Sequence, residues 1–275
     1  MISRSRPMIA AALSVPTRWA CLIAIVLTSA VLGHDTASAA ETKPDSAVAS
    51  TLIEANASID AELRAFPGLY DNLLGEARRE LAKQRAQAVK DRRDMPDMFA
   101  EGRHYTYERN YALRSHIGNY VSVIRADYLD GLGAHPNHQT ETILWDIRAR
   151  KRVSVRPFFK ETAIGGPALQ TLADAIRAAV IVAKKERGIE EPEKDISLDS
   201  LKPDLTKIGA LALAPSTEAD KAAGFVVYFS PYAVGSYAEG DYTVFVPWTA
   251  FKDHLSPAGI AMFGGERPAD DDKND

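Results

Sequence analysis

The sequence predicts an α+β protein in which an antiparallel sheet packs against helices. Three observations support this fold class. Apolar residues recur with a helical period over residues 68–94, the period changes to two from residue 104 onward, and a second helical stretch at residues 167–187 precedes further strands. Helices that lie before and between strands are typical of the α+β class. We therefore expect amino-terminal helices, then strands, a central helix and a carboxy-terminal hairpin.

The first 40 residues have the three parts of an export signal peptide. Three arginines supply positive charge, residues 20–33 form an uncharged apolar run, and residues 37–39 (Ala-Ser-Ala) provide a cleavage site. The alternative is an uncleaved anchor, but the run is shorter than the roughly 20 residues of a spanning helix. We therefore expect cleavage after Ala39 or Ala40 and a location in the periplasm or outside the cell, with no stable membrane span after cleavage.

Cysteine content and charge exclude several kinds of site. The single cysteine, Cys21, lies in the apolar run, so the chain after residue 40 has no thiol for a disulfide, a nucleophile or a metal ligand. The chain has a formal charge of −4, and residues 1–40 contain three arginines and one aspartate, so the remainder carries −6. This acidity argues against nucleic acid as a partner. It suits a basic partner, or simply solubility.

The amino-terminal half of the mature chain is predicted to begin with helices. Residues 41–50 are interpreted as a short leader, and residues 51–64 and 68–94 as helices separated by Pro67. The interleaved acidic and basic residues of the second helix indicate a solvated face. Its apolar stripe comprises Leu69, Leu73, Ala77, Leu81 and Ala88.

Alternating residues then predict strands joined by short connections, which favour antiparallel pairing. The first strand begins at Tyr105, and the next strands cover residues 120–128, 140–147 and 153–159, with a turn at 148–151. Pro167 begins a helix that Gly188 ends, with a buried stripe of Leu169, Leu172, Ile176, Val180 and Ala183.

The carboxy-terminal part is predicted to return to strands. Residues 189–207 are interpreted as a loop with one short helical turn, followed by strands at 210–214, 225–229 and 242–246. The polar, acidic tail at 264–275 is expected to be disordered.

Two stretches resemble a known family. Residues 128–159 (YLDGLGAHPNHQTETILWDIRARKRVSVRPFF) contain a Gly-rich turn with a His, a strand that ends in Asp, a basic turn and a Phe pair. Residues 225–251 (FVVYFSPYAVGSYAEGDYTVFVPWTAF) contain a hairpin with Pro-Tyr and Tyr-Ala-Glu-Gly in its loop. Together they are similar to the extracytoplasmic domain of RsiV-type anti-sigma factors and of the non-catalytic amino-terminal part of PdaC-type peptidoglycan deacetylases.

The resemblance implies a division of the domain and a kind of ligand. Residues 41–127 correspond to the PdaC-like half and residues 128–263 to the RsiV-like half. The implied ligand is a lysozyme-like hydrolase or a peptidoglycan-type glycan. One departure from the family is Leu132, which stands where adjacent glycines are usual and changes the expected path of the turn.

The first candidate site is the turn that contains Asp130, His135 and His138. With Asp130 or Glu141, the two histidines supply the groups of a metal site or a general acid/base pair. A structural role is the alternative, in which His135 hydrogen-bonds across the turn and Pro136 fixes the following strand.

The second candidate site is the hairpin loop that contains Tyr232, Tyr237 and Glu239. Tyrosines in a glycine-shaped loop suit stacking on sugar rings or a protein interface. The alternative is that Tyr232 packs beneath the hairpin, while Gly235 and Gly240 supply positive φ angles.

The sequence thus favours an exported envelope-binding domain with no catalysis and no cofactor, whose ligand-binding residues are Asp130, His135, His138, Tyr232, Tyr237 and Glu239. It has no GxSxG nucleophile motif and no paired Asp of a polysaccharide deacetylase. The alternative is a cell-wall polysaccharide-modifying enzyme that uses His135 and His138 with a metal. An envelope chaperone is a third hypothesis, which the residues neither support nor exclude.

Overall fold

A computed structural model describes residues 43–195 and 201–271, and the predicted signal peptide lies outside these residues. The fold is α+β, as predicted from the sequence. The helices are α1 (Leu69–Asp94), α2 (Pro167–Glu186), α3 (Pro192–Asp195) and α4 (Pro257–Met262). The strands are β1 (Ser46–Ser50), β2 (Ile53–Ile59), β3 (Tyr105–Ile117), β4 (Tyr120–Asp130), β5 (Asn137–Asp146), β6 (Lys151–Val153), β7 (Ala210–Pro215), β8 (Ala222–Phe229) and β9 (Tyr242–Pro247).

Strands β1 to β6 form one sheet in chain order, and α1 covers one of its faces. Every neighbouring pair in this sheet is antiparallel except β2 and β3, which are parallel because α1 carries the chain back between them. The predicted apolar stripe of α1 is confirmed. Its members Leu69, Leu73, Ala77, Leu81 and Ala88 are all fully buried against the sheet.

The amino-terminal predictions were wrong. Residues 41–50, interpreted as a leader, contain β1, and residues 51–64, interpreted as a helix, contain β2 and a 3₁₀ turn at Ala61–Ala65. Alternate side chains of β2 are buried, from Ile53 to Ile59, which is the period of a strand. The alanines between them have high helix propensity, but burial beside β3 outweighs that preference.

Strands β7, β8 and β9 form a second, antiparallel sheet that lies between the first sheet and α2. Every residue of β8 is buried because both of its faces are covered. Phe225, Val227 and Phe229 belong to the core shared with α2, while Val226 and Tyr228 face the first sheet. The predicted α2 stripe is confirmed except at its end, where Ala183 is half-buried and Lys184 is fully buried.

Hydroxyl side chains of the first sheet bond to the outer edge of β7. Ser115 and Thr142 donate to the backbone oxygens of Leu213 and Leu211, both at 2.7 Å, and the Leu213 N–H donates to Ser122 at 3.1 Å. An edge strand normally leaves such groups for water or another chain. Here they hold the two sheets together.

A β-bulge in β3 turns Arg114 into the interior between the sheets. The pairing of β3 with β4 shifts between Leu113 and Ser115, so two consecutive side chains face β7 and β8. The Arg114 side chain is fully buried, donates to the Tyr228 hydroxyl at 2.8 Å and forms two hydrogen bonds of 2.9 and 2.7 Å with Asp271.

The carboxy-terminal residues 264–271 make specific contacts where their composition predicts disorder. Asp271 is 5% exposed and also accepts a bond of 2.7 Å from Arg267. Glu266 pairs with Thr217 through the backbone. The expectation of disorder is therefore corrected for these eight residues, because a buried arginine more than 150 residues away supplies the missing counter-charge.

Two further differences concern connections. The sequence predicts a strand at 153–159, but β6 covers Lys151–Val153 and the chain leaves the sheet after Val153. A 3₁₀ turn at Arg156–Phe158 follows, because Pro157 has no N–H to donate to a sheet. The loop predicted at 189–207 contains the short helix α3, and residues 196–200 lie outside the described part. Across residues 43–195 and 201–271, no helix combines the length and the hydropathy that a membrane crossing requires.

Candidate functional site

The loop between β4 and β5 meets the loop between β8 and β9, and three aromatic rings come together there. The His135 ring stacks on the Tyr237 ring with centroids 3.9 Å apart and planes inclined by 25°. The Tyr232 ring lies 5.5 Å from Tyr237 and 6.0 Å from His135. We call His135, Tyr232 and Tyr237 the aromatic cluster.

Hydrogen bonds hold the rings of the aromatic cluster in place and define the tautomer of its histidine. The Pro136 carbonyl accepts a bond of 2.9 Å from the Tyr237 hydroxyl and lies 2.9 Å from His135 Nδ1. Because a carbonyl only accepts, Nδ1 carries a proton, and in the neutral ring Nε2 accepts from the Tyr232 hydroxyl 3.1 Å away. Both ring nitrogens of His135 are therefore engaged. The predicted hydrogen bond of His135 across its own turn is absent from the described residues; within this loop its ring hydrogen-bonds only to the carbonyl of the next residue, Pro136.

Tyr232 is the exposed member of the aromatic cluster, with 62% of its surface accessible to solvent. The alternative in which it packs beneath the hairpin is therefore wrong. Its φ angle is +70°, a region that bulky residues seldom occupy. Such backbone strain is retained where the surrounding structure holds it, and it is common at binding sites.

Glycine has different roles at the two predicted loop positions. Gly240 has φ of +73°, as predicted. Gly235 is required instead for close approach, since a Cβ there would lie 2.6 Å from a carboxylate oxygen of Glu239. In the other loop the positive φ of +59° belongs to Leu132, and its N–H donates to the Asp130 carboxylate at 2.9 Å. Asp130 therefore shapes its own turn.

Glu239 anchors the hairpin loop from below. Its carboxylate lies 2.6 Å from the ammonium group of Lys184, which is fully buried on α2, and accepts bonds of 2.7 Å from the Tyr242 hydroxyl and 2.6 Å from the Ser236 N–H. Burial alone would raise the pKa of Glu239, but the bonds from Lys184, Ser236 and Tyr242 lower it to about 2. The carboxylate is 10% exposed and saturated with partners, so it positions the loop.

Arg187 supports the same loop from the end of α2. It donates to the backbone oxygens of Glu239 at 2.8 Å and Asp241 at 2.7 Å, and its guanidinium lies over the Tyr242 ring at 3.9 Å. Sequence reasoning missed Lys184 and Arg187. The signal for Lys184 was available, because it stands one turn after Val180, within the buried stripe of α2.

His138 lies apart from the aromatic cluster. Its ring packs edge-on against Tyr128 at 5.2 Å, and it lines a cleft with Arg109 and Asp127. The side chains of His135 and His138 therefore do not converge on a common site. Within residues 43–195 and 201–271, no group of three or more His, Cys, Asp or Glu side chains is placed to hold a metal ion. These residues do not fit the metal that the enzyme hypothesis requires.

Comparisons with known proteins give a family of unknown function. Residues 158–249 match the model of a family described as "Protein of unknown function (DUF3298)". A solved DUF3298 family protein from Bacteroides fragilis NCTC 9343 is 14% identical, with 76% of this chain and 86% of that chain covered and a TM-score of 0.49. Another from Pseudomonas aeruginosa PAO1 is also 14% identical, with 81% and 93% covered and a TM-score of 0.49. No curated protein matches the sequence.

The matched segment is thus a domain of unknown function. It contains α2, the second sheet and the loop that holds Tyr232, Tyr237 and Glu239. His135, the third ring of the aromatic cluster, lies before it.

Proposed function

We propose that this protein is an exported cell-envelope binding domain without catalysis of its own, and that the aromatic cluster is its ligand-binding surface. The ligand that we propose is a lysozyme-like hydrolase or a peptidoglycan-type glycan. The observation that carries the proposal is the stacking of His135 on Tyr237 beside the exposed Tyr232. This contact joins residues 128–159 and 225–251, the two stretches that resemble the RsiV-type and PdaC-type domains.

The chemistry of the aromatic cluster suits binding. A tyrosine ring offers apolar area with a hydroxyl at its edge, which matches both the face of a sugar and the centre of a protein interface. Tyr232 is exposed, yet its hydroxyl bonds to His135 and orders the ring. A ring that is already ordered loses little conformational entropy when a ligand binds, so its contact area contributes more fully to affinity.

The charge of the protein is compatible with the hydrolase as ligand. The chain after residue 40 carries a formal charge of −6, and lysozymes of the chicken type are basic. Opposite net charges accelerate association and make binding weaken with salt. Peptidoglycan fragments carry carboxylates, so salt would screen their repulsion from the acidic protein and would not weaken their binding. The salt dependence of binding therefore distinguishes the two proposed ligands.

The enzyme hypothesis receives no support from the geometry. It requires His135 and His138 to act together with a metal, and their side chains contact different parts of the molecule. The third candidate of that turn, Asp130, bonds to the backbone of Leu132.

Titration calorimetry of the purified protein, against chicken-type lysozyme and against soluble peptidoglycan fragments, tests this proposal. We expect saturable binding to one of them, weakened about tenfold or more in Tyr232→Ala because a central tyrosine is lost. Tyr232→Phe should retain most of the affinity because it keeps the ring. Ile164→Ala is the matched control, since Ile164 is 76% exposed in another loop.

The proposal is overturned if neither ligand binds. It is also overturned if binding is saturable but equally strong in the wild type and in Tyr232→Ala, because the contact would then lie elsewhere.

A further inference from the structure

A polar cleft of 430 Å³ lies between α1 and the strands β3, β4 and β5. No residue of the aromatic cluster lines this cleft. Asn137 and His138, which do line it, follow immediately after the turn that holds His135. The cleft therefore needs an explanation separate from the proposed function.

The carboxylates of the cleft are already neutralised by neighbouring cations. Asp127 accepts two bonds of 2.6 Å from Arg109, and Glu76 accepts a bond of 2.9 Å from Arg125. Burial would raise the pKa of Glu76, but the hydrogen bond from Arg152 and the charges of Arg152, Arg125 and Arg109 lower it overall. Each of these carboxylates is paired with an arginine, so it does not repel an anion as an isolated charge would.

Cationic groups are in excess among the residues that line the cleft. Four cationic side chains line it against three carboxylates. Arg79 is exposed and makes no hydrogen bond or ion pair within the described residues. Lys83 is 74% exposed and reaches Glu80 only at 3.3 Å, a distance at which an exposed pair is weak. These two side chains, which we call the mouth of the cleft, therefore offer charge to an anionic group.

Two buried hydrogen-bond donors without an acceptor line the same cleft. Within the described residues three buried side-chain atoms lack a hydrogen-bond partner, and two of them are the Tyr107 hydroxyl and Arg125 Nε. Arg125 Nε lies 3.5 Å from Asp127 but forms no hydrogen bond with it. Tyr107 is 2% exposed and is the most buried residue of the cleft lining. Both donors lie beside the Asp127 carboxylate, and a ligand that supplies further acceptor oxygens would complete their hydrogen bonding.

We propose that this cleft binds a small sugar that carries a carboxylate. The carboxylate lies at the mouth against Arg79 and Lys83. Hydroxyl or amide oxygens of the sugar accept from Tyr107 and Arg125 deeper in the cleft. Amide side chains of Gln84 and Asn137 line the walls and suit the remaining hydroxyl groups. A simple carboxylic acid would occupy only the mouth and leave the deeper donors unpaired.

The test compares two sugars that differ by one carboxylate-bearing group. We would titrate the ¹⁵N-labelled protein with N-acetylmuramic acid and, separately, with its neutral counterpart N-acetylglucosamine. The chemical shifts of the backbone amides would be followed by NMR. We expect saturable shifts around the cleft with N-acetylmuramic acid, and binding of N-acetylglucosamine weaker by about tenfold because it lacks the charged hydrogen bonds.

Variants locate the site and separate it from the aromatic cluster. Arg79→Gln should weaken N-acetylmuramic acid by about tenfold, whereas Arg78→Gln, the exposed neighbour that does not line the cleft, should leave it unchanged. Tyr107→Phe keeps the ring in the core and should weaken the same sugar by about threefold or more. Tyr232→Ala should leave the affinity for N-acetylmuramic acid unchanged. The cleft proposal and the aromatic-cluster proposal can therefore fail independently of each other.

Three results would overturn the inference. These are no saturable shift with N-acetylmuramic acid, equal affinity for both sugars, and equal losses in Arg79→Gln and Arg78→Gln.

Discussion

Replacing Glu239 by glutamine should destabilise the fold although the side chain keeps its size. Glu239 is one of the residues predicted to bind ligand, yet its carboxylate is 10% exposed and pairs with a lysine that has no exposed side-chain surface. Its pKa is about 2, against an ordinary value of 4.5, and the difference corresponds to about 3 kcal/mol of interaction in favour of the ionised form. Removing one partner of a buried pair typically costs about 3–5 kcal/mol.

Urea denaturation followed by circular dichroism measures this loss directly. At pH 7 we expect the free energy of unfolding to fall by about 3 kcal/mol in Glu239→Gln. Glu191→Gln is the control, because Glu191 pairs with Lys194 at the surface, where both side chains are more than half exposed, and its loss should not be measurable. A loss below about 1 kcal/mol in Glu239→Gln would refute the reasoning, since the pair would then not be desolvated.

The pH dependence gives a second measure of the same interaction. The pKa of Glu239 is lowered in the folded state, so between about pH 2 and 4.5 the unfolded state binds more protons. The stability that Glu239 supplies is therefore complete above pH 4.5 and is lost as the pH falls toward 2. The difference between the wild type and Glu239→Gln should shrink over this range. A constant difference would contradict the assignment.

The other predictions concern the joint between the sheets. Asp271→Asn should lower the free energy of unfolding by about 2–4 kcal/mol in urea denaturation, because the buried Arg114 loses its counter-charge; a loss within error would mean that the tail does not pack. Ser122→Ala should lower it by about 1 kcal/mol, since the N–H of β7 loses its acceptor; no change would mean that water replaces the hydroxyl. Gly224→Ala should lower the melting temperature by several degrees, because a Cβ would lie 2.1 Å from the Val246 carbonyl; an unchanged melting temperature would show that the strands can separate there.

Elements with a strong local pattern were predictable from the sequence, and elements that depend on distant partners were not. The stripes of α1 and α2 and the alternation of β4 are visible within their own residues. By contrast, the apolar period of residues 51–64 predicts a helix, and only the pairing of β2 with β3 shows that a strand forms there. The packing of residues 264–271 depends on Arg114, which is itself re-aimed by a bulge.

The candidate site was predictable in its parts but not in its assembly. His135 and Tyr237 were each identified from the chemistry of their own loops, but 101 residues separate Pro136 from the tyrosine that bonds to it. No local pattern indicates that these two loops meet. Glu239 is a predicted ligand residue because it stands with tyrosines in a glycine-shaped loop, and loops often carry function. The buried lysine that makes it an anchor lies on α2, 55 residues earlier.

The most direct test of the proposed function follows the three rings of the aromatic cluster themselves. Side-chain proton signals of His135, Tyr232 and Tyr237 can be assigned by NMR and followed as chicken-type lysozyme or soluble peptidoglycan fragments are added. We predict that one of these ligands shifts or broadens the three sets of signals together and saturably, with the largest change at Tyr232. Binding that leaves the three rings unchanged while other residues shift would contradict the proposal.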